Sequence, residues 1–143
     1  MSRRRLAGNS LLVYVDAQPG DGHGITLWFE PTWHLRGPDR ILTGSRQAMH
    51  NADAEDPDAG FNLAAEAVDV LNGRRIADLT IESGTGDLFL WLDGEYLVRT
   101  FVSDPMDDEI WHIRDNASGV RLTRSGRQMA IPAADCGVKN ITD

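Results

Sequence analysis

The sequence predicts an α+β fold built on antiparallel sheet, and three observations carry that expectation. Short β-branched and aromatic runs are separated by turn clusters, one stretch near the middle has helical periodicity, and a phrase recurs on either side of it. Thr32-Trp33-His34-Leu35-Arg36 returns as Ile110-Trp111-His112-Ile113-Arg114. Each copy is followed by a polar turn, a short apolar stretch and a second phrase, Gly44-Ser45-Arg46-Gln47-Ala48 or Ser125-Gly126-Arg127-Gln128-Met129-Ala130. A fixed order in both copies points to a duplicated unit. The expected architecture is a sheet from two unequal β-rich halves, 11–48 and 75–131, with one connecting helix at 61–72 packed on it.

In the first half, Leu11-Leu12-Val13-Tyr14-Val15 and Ile25-Thr26-Leu27-Trp28-Phe29 bracket Pro19-Gly20-Asp21-Gly22-His23-Gly24, the pattern of a hairpin with a flexible tip. The Trp33 phrase and Ile41-Leu42-Thr43 follow as strands. Composition then shifts to Asn51-Ala52-Asp53-Ala54-Glu55-Asp56-Pro57-Asp58-Ala59-Gly60, a long acidic loop. Phe61, Ala64, Ala65, Val68 and Leu71 share one helix face, and Asn72-Gly73 supplies a C-terminal stop.

The second half opens on an alternating stretch from Arg75 to Ser83, in which Ala77, Leu79 and Ile81 predict one mainly buried face. Leu88-Phe89-Leu90-Trp91-Leu92 is apolar on both faces, as a central strand would be, and Asp93-Gly94 is a two-residue hairpin signal leading into Tyr96 through Val102. These three strands should form a meander, and the hairpin and an acidic loop should be what the second half adds to the first. Val120-Arg121-Leu122 and Gln128-Met129-Ala130-Ile131 read as edge strands. The tail, 132–143, has no readable pattern.

The 143 residues fit a single domain, 1–143, large enough to bury roughly two-thirds of its unfolded surface. Fourteen basic residues face 22 acidic ones, and three of the fourteen are Arg3, Arg4 and Arg5, expected in a frayed N-terminus, which leaves the body at 11 against 22, or −11. Such a field repels polyanions, which argues against nucleic acid, and speeds encounter with a basic partner. Cys136 is the single cysteine, so no intrachain disulfide forms and nothing marks an oxidising compartment. The apolar run after the N-terminal arginines, Leu11 to Val15, is too short for an export signal or a membrane span. A cytoplasmic protein without membrane contact, monomer or homodimer, is expected.

Catalytic grammar is thin. No serine sits in a Gly-x-Ser-x-Gly elbow, and Cys136 has no adjacent base. Gly20-Asp21-Gly22-His23-Gly24 has the glycines of a phosphate cradle but lies between strands rather than before a helix. The acidic segment from Asp53 breaks the calcium-loop order at Pro57, and its twelfth position is Ala64 rather than Glu. In a strand Trp33 and Trp111 facing the core would turn His34 and His112 outward. The alternative is that the two histidines meet at the junction of the halves and, with His23 or His50, bind a metal or small ligand as an enzyme.

Leu71-Asn72-Gly73-Arg74-Arg75-Ile76, Leu88-Phe89-Leu90-Trp91-Leu92-Asp93-Gly94 and Glu109-Ile110-Trp111-His112-Ile113 resemble a group of small uncharacterised bacterial β-rich domains. The resemblance spans 67–131, implies a small α+β domain, and brings no catalytic residue with it. In composition the chain is also similar to cytoplasmic immunity proteins, which are small, acidic and β-rich.

The favoured functional expectation is therefore a non-catalytic protein-binding domain, most concretely an immunity-type inhibitor that covers a basic toxin or nuclease site, with no cofactor and no metal. Its docking residues would be Asp53, Glu55, Asp56 and Asp58 in one loop and Asp104, Met106, Asp107, Asp108 and Glu109 in the other, carboxylates setting the on-rate and Met106 giving an apolar centre. An accessory domain without separate activity is a further alternative.

Overall fold

The structure is a computed structural model that describes residues 2–16, 22–104, 106–124, 128–131 and 139–142. It has an α+β architecture of antiparallel sheets with two short α-helices. In chain order the elements are β1 (Ser2–Ala7), β2 (Ser10–Val15), β3 (Ile25–Phe29), β4 (Trp33–Arg36) and β5 (Ile41–Gly44), then α1 (Ser45–Ala48), α2 (Ala59–Ala67) and a 3-10 turn (Val68–Leu71). There follow β6 (Ile76–Ile81), β7 (Leu88–Leu92), β8 (Tyr96–Thr100), β9 (Trp111–Asp115), β10 (Arg121–Arg124), β11 (Gln128–Ile131) and β12 (Lys139–Thr142). Among the described residues these strands form a seven-stranded sheet, β1-β2-β3-β9-β10-β11-β12, and a five-stranded sheet, β5-β4-β8-β7-β6.

The two halves of the chain trade strands. Each contributes a three-stranded meander to one sheet, β1-β2-β3 or β6-β7-β8, and then crosses to the other sheet for its next two strands. The order β1-β2-β3-β9-β10 becomes β6-β7-β8-β4-β5 when every strand is replaced by the one five places away. Hydrogen bonds follow the same exchange. Where β3 leaves for β4, Glu30 N donates to Ile110 O at 2.9 Å, and where β8 leaves for β9, Phe101 N donates to Thr32 O at 2.9 Å. Trp33 Nε1 reaches across to Asn9 O at 2.8 Å in the β1–β2 turn, and Trp111 Nε1 reaches across to Gly86 O at 2.8 Å, just before β7.

Residues of both sheets share one apolar cluster. Leu11, Val13, Leu27, Phe29 and Trp111 meet Trp33, Leu35, Leu88, Leu90, Leu92 and Val98, with Ala64, Val68 and Leu71 from the helical segment. The helix forms where the 3.6-residue period predicts, although it starts at Ala59 and its last turn tightens to 3-10 geometry, so the expected single helix at 61–72 is two segments. The short α1 was absent from the sequence expectation. Its run Ser45 to Ala48 is too brief for periodicity to register.

Several expectations need correction. Arg3, Arg4 and Arg5 are not frayed but belong to β1, held by the whole β1–β2 ladder, with Arg4 ion-paired to Asp69. The first half therefore begins at β1, not at residue 11. A hairpin is not an addition of the second half either, because β2–β3 is the counterpart of β7–β8. The β10 strand is interior, pairing with β9 and β11, and so is β11, which pairs with β12. Nor do Trp28 and Trp91 correspond. Trp33 pairs with Thr100 and Trp111 with Phe29, a register that sets Trp28 against Arg99 and Trp91 against Tyr14. Finally β6 is an edge strand, and its Leu79 and Ile81 stay exposed although they alternate as expected.

Gly86, just before β7, lies against the side chain of Arg124 at the end of β10. Its φ of +75° lies in the left-handed region, and a Cβ there would run into the guanidinium of buried Arg124, whose Nη2 donates to Thr85 O at 3.1 Å. Gly8, φ +60°, has the same backbone need with open space around it. Gly86→Ala should therefore cost about 2 kcal/mol or more and Gly8→Ala only about 1 kcal/mol. Urea midpoints would check this, and equal losses at the two positions would contradict the Arg124 contact.

Candidate functional site

Topology brings both acidic loops to one end of the sandwich. The segment 49–58 follows α1, which starts where β5 ends, and Gly8 of the β1–β2 turn lies beside His50 and Asp58 in a shared surface depression. The segment 101–110 joins the end of β8 to the start of β9, the same end, since Thr100 pairs with Trp33 and Trp111 with Phe29. Asp53, Glu55, Asp56, Asp58, Asp104 and Asp108 are all exposed there, and Met106 is 70% exposed.

These carboxylates do not all have the same task. Asp107 Oδ2 organises its own loop, accepting from Ser103 N at 2.9 Å, Ser103 Oγ at 3.2 Å and Asp104 N at 3.2 Å. The Ser103 amide, foremost, holds its carboxyl below the usual range. Asp104 accepts from Met106 N at 2.7 Å. In the other loop Asp56 accepts from Asp58 N, and Asp58 pairs with His50 Nδ1 at 2.9 Å. Glu109 turns away from the end, taking Arg121 Nη2 at 3.0 Å and lying 3.2 Å from His112 Nδ1. Asp and Ser hydrogen bonds to nearby amides are the ordinary chemistry of such turns, so both loops hold their charge in defined positions.

The histidines do not meet. Trp33 and Trp111 are buried in the core, so His34 and His112 project from the opposite faces of their strands, and those strands belong to different sheets. His34 packs edge-on against Phe101, ring centres 4.6 Å apart, beside Arg99. Burial first, then the Arg99 and Arg36 charges, lower its pKa. Among the described residues no group of three or more His, Cys, Asp or Glu is placed to hold a metal. Cys136, Asp21 and the Gly20 end of the glycine-rich tip lie outside the described residues.

On the outer face of the seven-stranded sheet His112 belongs to a groove that the sequence did not announce. Alternate residues of β2 serve two clusters: Leu11 and Val13 join the main core, while Leu12 and Tyr14 form a second one with Ala7 and Trp28. One register row crosses the face as Arg5, Leu12, Trp28 and His112, and the next carries Tyr14, Thr26 and Arg114. The groove is about 540 Å³ and its lining includes these seven residues. Trp28 and His112 stack with centres 5.1 Å apart and planes at 26°. The signal available in sequence was the run from Leu11 to Val15, which has no charged or strongly polar position and which an outermost layer does not need unless its outer face is also used.

His112 is 8% exposed, and its pKa is lowered to about 4, by burial first and then by the Arg121 charge, with Glu30 opposing and Arg114 reinforcing. Nothing matches this chain among family models, curated proteins or solved structures. The site is thus argued from its own geometry alone.

The depressed His112 pKa has a defined consequence for stability. The unfolded chain takes up the proton near pH 6.5 and the folded one only near 4, so His112 contributes full stability above 6.5 and loses it as pH falls between those values. His112→Gln should flatten the decline in urea midpoint between about pH 7 and 5. A decline of the same steepness in the variant would count against a neutral, buried His112.

Proposed function

We propose that this chain is a non-catalytic protein-binding domain that docks a basic partner against the acid-rich end of its sandwich. The observation that carries the reading is that the strands leading into segments 49–58 and 101–110 end on the same side of the fold, although the segments are about 50 residues apart in the chain. Exposed carboxylates from two loops on one end make that end negative, and such a field steers encounter with a positive surface. Exposed Met106 within that end offers the apolar contact that affinity needs. Most concretely the domain is an immunity-type inhibitor that covers the basic site of a toxin or nuclease in the cytoplasm. Among the described residues no helix is long and apolar enough to cross a membrane. The reading of an enzyme at a histidine junction has no support in the separation of His34 from His112 onto different sheets.

We infer for the fold that the two halves arose by duplication, each unit comprising five strands, β1–β5 and β6–β10, with the helices as connector. The matched strand orders and the paired Trp-to-turn and crossover hydrogen bonds support it. The acidic loop at 101–110 is then the point of divergence, since its counterpart is the three-residue link Glu30-Pro31-Thr32.

The binding reading is tested by co-expression with the protein encoded by the neighbouring reading frame. A complex is expected whose affinity drops about tenfold or more between about 50 and 300 mM salt. Asp104→Asn with Asp108→Asn should lower the on-rate with little change in stability, because neither side chain supports the core. Complex formation indifferent both to salt and to this double variant would refute the acid-rich end as the docking surface.

A further inference from the structure

We propose that the groove over β1, β2, β3 and β9 is a binding site for a small aromatic carboxylate, separate from the acid-rich end. Among the described residues its lining includes Arg5, Leu12, Tyr14, Trp28, His112 and Arg114 and contains no carboxylate, although the chain carries 22 acidic residues. The two arginines are exposed, and among the described residues neither has a carboxylate partner nor lies over a ring. Guanidinium groups in that state on an acidic protein are receptors for a planar anion, which they grip with paired N–H donors.

The floor selects the body of the ligand. Tyr14 and Leu12 are nearly fully buried on this outward face, and Trp28 stands stacked on His112 as a flat wall. Trp28 Nε1 is buried and makes no hydrogen bond, whereas His112 Nδ1 lies 3.2 Å from Glu109 Oε1. A buried indole N–H without an acceptor costs stability, and here it is a donor that an acceptor on a ligand would satisfy. Thr26 and Asn116, by contrast, are already committed, Thr26 Oγ1 to Asn116 Oδ1 at 3.1 Å and Asn116 Nδ2 to His23 O at 2.9 Å, so they shape the rim rather than bind. A cavity of about 540 Å³ holds a one- or two-ring acid.

The corresponding face of the five-stranded sheet is the internal control. There the arginines are used up: Arg36 lies over Trp91 at 5.4 Å, and Arg99 lies over Phe89 at 4.3 Å and Phe101 at 4.2 Å. The depression beside them includes Asp78, Asp93 and Glu95, which would repel the same anion. Register places Arg99 where the other sheet has Trp28. One face is thus closed on itself by cation–π contacts, and the other keeps its rings and its cations apart.

Titration of the full chain with 2-naphthoate, with 2-naphthamide as the neutral isostere, tests the proposal. Naphthoate should bind saturably below about 1 mM and move the Trp28 indole N–H resonance, identified by its loss in Trp28→Phe, while naphthamide binds at least tenfold more weakly. Arg5→Gln and Arg114→Gln should each weaken naphthoate about tenfold. Because both arginines are exposed on strand surfaces, near-UV circular dichroism should match the native protein. No saturable shift in the native chain, equal binding of the amide, or native affinity in the double arginine variant would overturn the proposal, as would inorganic phosphate displacing naphthoate at equal concentration, which would leave charge alone and no ring selection.

Discussion

Each sheet of this molecule is tied to the other by an indole. Trp33 stands at the start of β4 in one sheet and donates to a turn of the other, and Trp111 stands at the start of β9 and returns the bond in the opposite direction. Both rings are buried in the shared core, so the interaction combines a large apolar contribution with a satisfied polar one. The hydrogen bond does more than stabilise. It fixes where a strand that has just crossed between sheets must begin, and thereby the register of the four strands that follow the two crossings. If the indole were free to slide by one residue, every core side chain of β4 or β9 would turn to solvent. The outward positions of His34 and His112 follow from this constraint alone.

Crossing also decides where function can sit. Because β3 leads to β4 and β8 to β9 at the same end, that end collects both links, two hairpin turns and the start of the helical connector. Loops tolerate charge, since their backbone is exposed or bonded to their own side chains, and here the Asp107 and Asp56 carboxylates supply those bonds. The sheet faces obey a different rule. They are paved by side chains at two-residue intervals, and a face acquires a groove only where those side chains fail to cover one another.

What the sequence disclosed follows the same division. Period-two and period-3.6 patterns located nearly every central strand and the helix, because burial on a regular lattice writes itself into alternation. The Trp-His-Leu/Ile-Arg echo was legible, as was the inward Trp and outward His. Strand exchange was not legible, since β4 beside β3 and β4 beside β8 bury the same residues and differ only in partner. Arg3, Arg4 and Arg5 were misread as a frayed end because charge was weighed and pairing could not be. Leu79 and Ile81 alternate correctly yet remain exposed, for alternation reports which side faces inward and not whether anything lies opposite. The groove was hidden for a related reason: its seven residues of β1, β2, β3 and β9 come from register, which only the ladder supplies.

Corresponding positions with unlike chemistry carry the most information. Where two units share a backbone plan, a residue kept in both is explained by that plan, and Trp33 with Trp111 is the example. Where they differ, something other than the shared plan decides the residue. Arg99 opposite Trp28 is such a difference. With Arg99 the face covers its own rings, gaining cation–π contacts worth about 0.5–1 kcal/mol each at such exposure. With Trp28 the face gives up those contacts, leaves an indole N–H without a hydrogen bond, and stands two arginines at the rim. Trp28 instead stacks on His112 and packs beside Leu12 and Tyr14, so one set of ring contacts is exchanged for another. What distinguishes the two faces is where the cations stand, over the rings in one and at the rim of a groove in the other.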